Sequence, residues 1–386
     1  MELYSSSFLP LNPGLYSSKD RWHPDQIGSQ IDSHIQGALP NVNYAEIAIF
    51  NVPEFDGSDN QEATSDCYIR DSLYRLYFKS APKIVDLGTL MTMSSRKETF
   101  DLIQQVCTDL IYNGIIPVII GGGHDISYAV YKSYVNLEKT ITLSCVDSSF
   151  NIGLKNDKLK SSSFLSKIIS HKPNHLFNFI NVGYQTFFVK PEEIDLLDKM
   201  NFETYRLGEV KNNLHEVEPL LRSTDFISFD MSSVMSSSFV SNIYSTPNGF
   251  SGEEACRIFR YAGISDKISA VGIFEYNQSL DLQNQGSQLI SQMIWYFLEG
   301  YKSRKYELNP NIDNCVKYTV AFEDENTEIE FFKSNLSGRW WMGVPFKKLE
   351  SEDFDKYFVA CSYADYEKAN KGSVPSRWVK TYNRFL

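Results

Sequence analysis

The sequence predicts an α/β protein with a central, mostly parallel sheet that is covered by helices on both faces. Short apolar runs of strand length alternate along the chain with segments that carry apolar residues at helical spacing. The apolar run after residue 114 reads as a parallel strand buried on both sides. Four such runs end in a histidine or an acidic residue, which places reactive side chains along one edge of the sheet.

Length and composition set the domain organisation that we expect. The chain has 386 residues, 42% hydrophobic and 14% aromatic, which is ample for a folded core and long for one simple domain. We divide it into an N-terminal arm (1–44), an α/β domain (45–303) and an appended C-terminal region (304–386). The arm is rich in Ser, Pro, Gly and Asn, and we expect it to be irregular with one short helix.

The charge and the cysteines exclude several classes of partner and location. The net charge is −11 without a Lys/Arg-rich run, which argues against binding to nucleic acid or to an anionic membrane. No run of eighteen apolar residues predicts a membrane span, and the first fifteen residues lack the pattern of a signal peptide. The six cysteines are scattered without Cys-x-x-Cys pairs, so we expect a reduced, cytoplasmic protein.

Within the α/β domain, short apolar runs predict the strands and apolar residues at helical spacing predict the helices. Strands are predicted at 45–52, 83–87, 115–120, 141–146, 177–183, 226–229 and 268–274. Helices are predicted at 66–78, 97–113, 127–137, 191–200, 252–262 and 286–301.

The residue pattern of the sequence changes after residue 303. Residues 315–322 and 328–333 alternate like antiparallel strands, and 351–372 is predicted to be helical. We expect the region to pack on the large sheet or to contact a partner. Trp340 and Trp341 favour an anchor in the region's own core over a recognition patch, because large aromatic side chains are usually mostly buried.

The strand from Ile115 runs into the turn Gly121–Gly123, which is followed by His124 and Asp125. Glycines there let the backbone approach a ligand closely, and His124 stands where a metal ligand or a catalytic base would stand. No Lys-Ser/Thr follows the glycines, so this is not a phosphate-binding Walker loop. No Gly-x-Ser-x-Gly motif supports a serine hydrolase.

Three motifs resemble those of the ureohydrolase superfamily of arginase, agmatinase and formimidoylglutamase. They are Gly121–Asp125, then Ser228–Asp230 with the stretch 246–255, and then Phe274–Asn277. The resemblance covers roughly residues 45–303 and is closest to formimidoylglutamases. It implies the three-layer arginase-like fold.

The resemblance also implies a metal site that this sequence does not complete. Members bind two manganese ions that hold a bridging hydroxide, the nucleophile for a guanidinium or formimino carbon. His124, Asp147 and Asp230 match three of the ligands. The other three ligand positions are changed, and they hold Ser149, Asn151 and Ser232.

We therefore predict a pseudoenzyme with vestigial metal ligands, no catalytic residue and no cofactor, in a structural or regulatory role through unknown protein partners. The sequence leaves assembly into a homo-oligomer open. We expect a protonated His124 to lie between Asp147 and Asp230 and to substitute for the missing cation.

Two alternatives stay open. One is a hydrolase of linear amidines or guanidino C–N bonds with one weakly bound manganese on His124, Asp147, Asp230 and Asn151. In that case Glu275 would bind the substrate cation, although a purely structural carboxylate is an equal expectation for it. The other is a sensor that binds a small molecule in the pocket that corresponds to the active site of the family.

Overall fold

Two β-sheets form the framework of the protein. The computed structural model describes residues 6–12, 21–35, 39–60, 68–153, 158–322, 327–347 and 354–386. The large sheet contains β1 (Phe8–Leu9), β2 (Asp32–Ser33), β3 (Ile47–Asn51), β4 (Ile84–Leu90), β5 (Ile116–Ile120), β6 (Ile141–Val146), β7 (Leu176–Tyr184), β8 (Glu203–Arg206), β9 (Phe226–Asp230) and β10 (Ala270–Phe274). The small sheet contains β11 (Cys315–Phe322), β12 (Thr327–Ser334), β13 (Trp340–Lys347) and β14 (Phe354–Cys361).

Helices connect most of these strands. The α-helices of the described residues are α1 (Ile27–Gln30), α2 (Tyr68–Arg75), α3 (Arg96–Tyr112), α4 (Ile126–Asn136), α5 (Phe164–Ile169), α6 (Pro191–Lys199), α7 (Leu207–Asn212), α8 (Val217–Arg222), α9 (Gly252–Ile264), α10 (Gln285–Lys302), α11 (Tyr363–Asn370) and α12 (Ser376–Phe385). None of them is both long enough and apolar enough to cross a membrane.

The large sheet is mostly parallel, as predicted. Its strand order is β1-β4-β3-β5-β10-β9-β6-β7-β8, with β2 beside β4. β1 pairs antiparallel with β4, whereas the other pairings between the described strands of this large sheet are parallel. Parallel neighbours need crossover connections, and the helices between the strands provide them.

Both faces of the large sheet are buried under helices. Along β3, Ile47 and Ile49 belong to one hydrophobic core, while Ala48 and Phe50 belong to the other. Successive side chains of a strand point to opposite faces, so each strand contributes to both cores. Helices α9 and α10 cover the first face, and α3 and α4 cover the second. The predicted three-layer α/β fold is confirmed.

The turn after β5 positions the residue that follows it. Gly121 and Gly122 adopt φ angles of 90° and 74°, in the left-handed region that favours glycine. A Cβ atom at Gly122 would lie only 2.6 Å from the carbonyl oxygen of Glu54. The backbone can therefore turn sharply here, and it carries His124 into the protein interior.

The small sheet has its own core and also packs on the α/β domain. Trp340 and Met342 face α11 and α12 within that core, and Trp340 is 8% exposed. Trp341 points the other way, is 1% exposed, and lies under the guanidinium of Arg222 at 4.8 Å from the ring centre. The prediction of an anchor in the region's own core is confirmed for Trp340, whereas Trp341 is buried against the α/β domain instead.

Two predictions about elements were wrong, and several elements were not predicted. Residues 354–361 form strand β14 and not the start of a helix, because their aromatic and β-branched side chains pair along the whole length of β13. The arm is less irregular than predicted, since β1 and β2 both pair with β4. Strand β8 was not predicted at all, and neither were the short helices α5, α7 and α8.

Candidate functional site

Four of the predicted site residues meet at the carboxyl edge of the large sheet. His124 follows β5, Asp147 follows β6, Asp230 ends β9 and Glu275 follows β10. The four strands are adjacent in the order β5-β10-β9-β6, so their ends lie side by side. In open α/β sheets this edge carries the ligand site.

The imidazole of His124 joins the two aspartates. Its Nδ1 lies 3.1 Å from Oδ2 of Asp147 and 3.2 Å from Oδ2 of Asp230. Its Nε2 lies 2.7 Å from Oγ of Ser228, which in turn lies 2.7 Å from Oγ of Ser127. The His124 side chain is fully buried. Nδ1 therefore faces two carboxylate oxygens, although Asn151 Nδ2 also lies 3.3 Å from it, and the Ser228 hydroxyl can accept a hydrogen bond from Nε2. This arrangement accommodates a doubly protonated imidazolium.

The protonation of this cluster follows from its burial and its charges. Burial by itself would lower the pKa of His124, but hydrogen bonds to Asp147 and Asp230 outweigh it and raise that pKa well above its usual range. Burial and the charge of Asp230 raise the pKa of Asp147, while the hydrogen bond from His124 opposes the rise. A protonated His124 would thus stabilise two carboxylates that would otherwise repel each other.

Neutral groups surround the aspartates at the positions that the resemblance assigns to metal ligands. Asn151 Nδ2 donates to Oδ2 of Asp147 at 2.6 Å. The backbone N–H of Ser149 donates to Oδ1 of the same carboxylate at 2.8 Å. Similarly, the N–H of Ser232 donates to Oδ1 of Asp230 at 2.7 Å. Because a carboxylate only accepts hydrogen bonds, the nitrogen and not the oxygen of the Asn151 amide faces Asp147.

Glu275 is held inside the protein by its neighbours. Its Oε1 accepts hydrogen bonds from the backbone N–H of His124 at 2.8 Å and from Ser161 Oγ at 2.6 Å. Its Oε2 accepts one from Ser58 Oγ at 2.6 Å. The side chain is almost completely buried, and the backbone adopts a left-handed φ of 65°. Such a conformation costs on the order of 1–3 kcal/mol, so these contacts must hold it in place.

The contacts of Glu275 bear on its predicted role. Burial and the negative charge of Asp230 raise the pKa of the Glu275 carboxyl, against the hydrogen bonds of Ser161 and Ser58. The carboxylate connects loops from three parts of the chain, and it contributes to a pocket wall. Its use as a ligand for a substrate cation stays a prediction.

An open pocket of about 450 Å³ lies above the cluster. Hydroxyl groups form much of its wall, and they belong to Ser58, Ser148, Ser149, Ser161, Ser162, Ser232, Tyr244, Ser245 and Thr246. Apolar side chains stand at its mouth and are partly in solvent: Phe188 is 46% exposed, Ile243 50% and Tyr244 49%. The neighbouring ring of Phe187 is 68% exposed and contacts Phe188.

Sequence reasoning assigned no role to the residues that hold this site together. Ser228 is a polar residue inside the otherwise apolar strand β9, two positions before Asp230, and that was a usable signal. Ser58 and Ser161 gave no such signal, since they lie in polar loops far from Glu275 in sequence. Arg96 binds Asp125 and the carbonyl of Leu159 and so secures the loops beside His124.

Comparison with known proteins places the chain among ureohydrolases. The model of the Arginase family matches residues 58–299. A formimidoylglutamase of Staphylococcus aureus (strain MRSA252) is 24% identical over 193 residues, which cover 47% of this chain and 60% of that protein. The chain therefore spans less than two thirds of the length of the curated relatives that it matches.

Solved structures share the fold. The formiminoglutamase of Trypanosoma cruzi with Mn²⁺ superposes with a TM-score of 0.60 at 19% identity, over 67% of this chain and 94% of that one. The formimidoylglutamase of Bacillus subtilis gives 0.59 at 19% identity, over 68% and 88%. The agmatine ureohydrolase of Thermoplasma volcanium gives 0.56 at 17% identity, over 74% and 98%.

Proposed function

Because the chain belongs to the arginase family, we propose that it keeps the fold and the pocket of that family without its dimanganese chemistry, and that it acts through protein contacts in a structural or regulatory role. One observation carries the proposal. His124 Nδ1 contacts the carboxylates of both Asp147 and Asp230 at hydrogen-bond distance. A protonated imidazole in that position supplies the positive charge that the two carboxylates need.

The side chains of this centre do not fit a pair of manganese ions. Two such ions bring four positive charges, whereas the described centre offers two aspartates. Manganese prefers carboxylate oxygens, and the remaining positions hold neutral groups, namely Ser149, Asn151 and Ser232. Uncompensated charge in a buried site is costly, so a second ion is disfavoured.

The mouth of the pocket supports a role in protein contact. Phe187, Phe188, Ile243 and Tyr244 expose apolar surface around an opening. Exposed apolar side chains beside a polar pocket are a common feature of interaction sites. We name these four residues the pocket rim and propose that a partner protein covers it. The appended region, predicted as another contact surface, buries Trp341 against the α/β domain and leaves Leu336 62% exposed.

A metal-dependent hydrolase of amidine or guanidino C–N bonds is the second candidate. It is favoured by one observation: ligand atoms of His124, Asp147 and Asp230 lie within 4.8 Å of one another. These side chains could hold a single manganese ion if the imidazole released its Nδ1 proton. That ion would supply a bound hydroxide as nucleophile.

Metal analysis combined with an activity assay separates the two candidates. The protein is purified from cells supplied with manganese, its metal content is measured, and release of urea or formamide is followed with guanidino and formimino compounds. We expect less than one manganese per ten chains, as an order of magnitude, and no turnover. Stoichiometric manganese together with turnover that Asp230→Ala abolishes would establish the hydrolase instead.

Partner capture tests the pocket rim. The wild-type protein and a Phe187→Ser, Ile243→Ser double variant are used as baits in extracts of the native host. Tyr112→Ser serves as a matched control, because Tyr112 is 75% exposed on α3. A protein that binds the wild type and the control but not the double variant supports the proposal. Equal capture by all three baits contradicts the assignment to the rim.

A further inference from the structure

A second cavity lies at the amino edge of the large sheet, opposite His124. It has a volume of about 380 Å³. The starts of β6 and β7 form one side of it, and β13, β14 and α12 form the other. Aromatic rings make up much of its wall, and they belong to Phe177, Trp341, Tyr357, Phe358 and Phe385. Ligand pockets are commonly of this size, mostly apolar, and located between structural units.

We name this space the interface cavity, and basic side chains surround it. Arg222 and Lys267 line it directly. A smaller void of about 10 Å³ shares four lining residues with it, and Arg377 and Arg384 line that void. Across both spaces the described lining contains these four cations and a single acid, Glu203. Each cation also contacts an acid: Arg222 contacts Glu218, Lys267 contacts Asp225, and Arg377 and Arg384 both contact Glu203. An anion in the cavity would therefore be bound by N–H donors rather than by a net positive charge.

Two of the arginines have an Nε donor without a hydrogen bond. The side chains of Arg377 and Arg384 are each 8% exposed, and the Nε of each has no hydrogen-bond partner among the described residues. The Nε of Arg377 lies 3.6 Å from Oε2 of Glu203, so Arg384 is the clearer case. Buried donors in folded proteins are almost always paired, so an acceptor is expected beside them. The small void has space for about one water-sized group, such as a single oxygen atom.

We propose that the interface cavity binds a small organic anion with a flat, apolar ring system, of the class of an aromatic carboxylate. The rings of the wall would pack on the ring system of the ligand. Lys267 Nζ donates to the carbonyl of Ser223 at 2.9 Å and contacts Asp225 at 3.0 Å, which leaves its third N–H for the anion. This site shares no lining residue with the pocket above His124 and does not depend on the function proposed for it.

A series of three probes with one ring system tests the chemical class. The probes are 2-naphthoate, the neutral 2-naphthalenemethanol and the cationic 2-naphthylmethylammonium. Binding is measured by calorimetry and by the fluorescence of the protein, since Trp341 lies in the wall. We expect one naphthoate per chain, bound about tenfold more tightly than the alcohol, and no binding of the ammonium. Absence of naphthoate binding, or equal binding of anion and alcohol, overturns the proposal.

Two variants locate the binding. Ala360 lies on the same face of β14 as Phe358 and lines the cavity, so Ala360→Leu fills the space and should weaken naphthoate binding about tenfold or more. Ala364→Leu is the matched control, on an exposed position of α11. If Ala360→Leu does not fold, Lys267→Met tests the site instead. This variant should bind naphthoate no more tightly than the alcohol, while the alcohol still binds. Wild-type affinity and preference in the folded variants would refute the site.

Discussion

Replacing His124 by leucine tests whether its imidazolium holds the two aspartates together. The substitution keeps a side chain of similar size and removes both ring nitrogens. Asp147 and Asp230 then face each other without the cation that lies 3.1 Å and 3.2 Å from them. His215→Leu is the matched control, because the His215 side chain is 69% exposed.

The burial and the remaining contacts set the size of the effect. Removing one partner of a buried ion pair costs about 3–5 kcal/mol. Asp147 keeps its hydrogen bonds from Ser149 and Asn151, and the Asp230 side chain is 10% exposed. We therefore expect the lower end of the range, about 3 kcal/mol of unfolding free energy at pH 7. The control should change it by less than about 0.5 kcal/mol.

The pH dependence has a definite sign. The folded pKa of His124 lies well above its unfolded value of 6.5. Its contribution to stability is therefore fully present below pH 6.5 and is lost as the pH rises through the folded pKa. In the leucine variant, acid relieves the repulsion, because Asp147 already has a raised pKa and takes up a proton. The difference between the two proteins should therefore shrink in acid as well as at high pH.

Urea unfolding followed by circular dichroism, at several pH values and with or without EDTA, provides the measurement. The wild-type protein should be insensitive to EDTA. If EDTA destabilises the wild type at pH 7 by about as much as the substitution does, a metal ion and not the imidazolium binds the carboxylates. A His124→Leu variant that is as stable as the wild type would refute the reasoning as well.

Three further changes give measurable outcomes. The triple variant Ser149→His, Asn151→Asp and Ser232→Asp should bind manganese at least about a hundredfold more tightly than the wild type by calorimetry, since each change adds a direct ligand; an unchanged affinity would show that the pocket has diverged further than these positions. Trp341→Ala should lower the urea midpoint and reduce the free energy of unfolding by about 3–5 kcal/mol, because the ring is 1% exposed and stacks on Arg222. A reduction below about 1 kcal/mol would mean that the small sheet contributes little to stability. Burial by itself would raise the pKa of Glu330, but Lys317 and Lys356 outweigh burial and lower that pKa below 4.5. The two ion pairs therefore stabilise the folded protein above pH 4.5, and this stabilisation is lost as the pH falls through the folded pKa. Glu330→Gln should therefore cost up to about 1 kcal/mol at pH 7 and nothing at pH 2, and a cost that is the same at both values would contradict this assignment.

The parts of the fold that follow from local pattern could be predicted from the sequence. The run from Ile116 to Ile120 and the glycines after it define a buried strand and a turn within ten residues. Parallel strands share an edge, so residues at their ends could be expected to meet even though His124 and Asp230 are far apart in the chain. The same reasoning did not reveal β14, because its aromatic and β-branched residues alone do not fix a strand and the pairing with β13 does.

The residues that hold Glu275 in place could not be predicted from the sequence, for a similar reason. Ser58 and Ser161 reach Glu275 across 217 and 114 residues of sequence. Nothing in their own neighbourhood marks them, because serine is common in polar loops. The cavity beside Trp341 was hidden as well, since it exists only where the small sheet meets the large one.

Arg222 has a consequence for how the protein is made. Its guanidinium is buried against the carbonyl oxygens of Trp340 and Cys361, which are paired residues of β13 and β14 that lie 118 and 139 positions later in the chain. At usual rates of translation, roughly 6 to 30 seconds separate the synthesis of Arg222 from that of its acceptors. During that time the nascent α/β domain exposes a charge and the apolar surface around it. This edge is therefore where we expect chaperones to bind the growing chain.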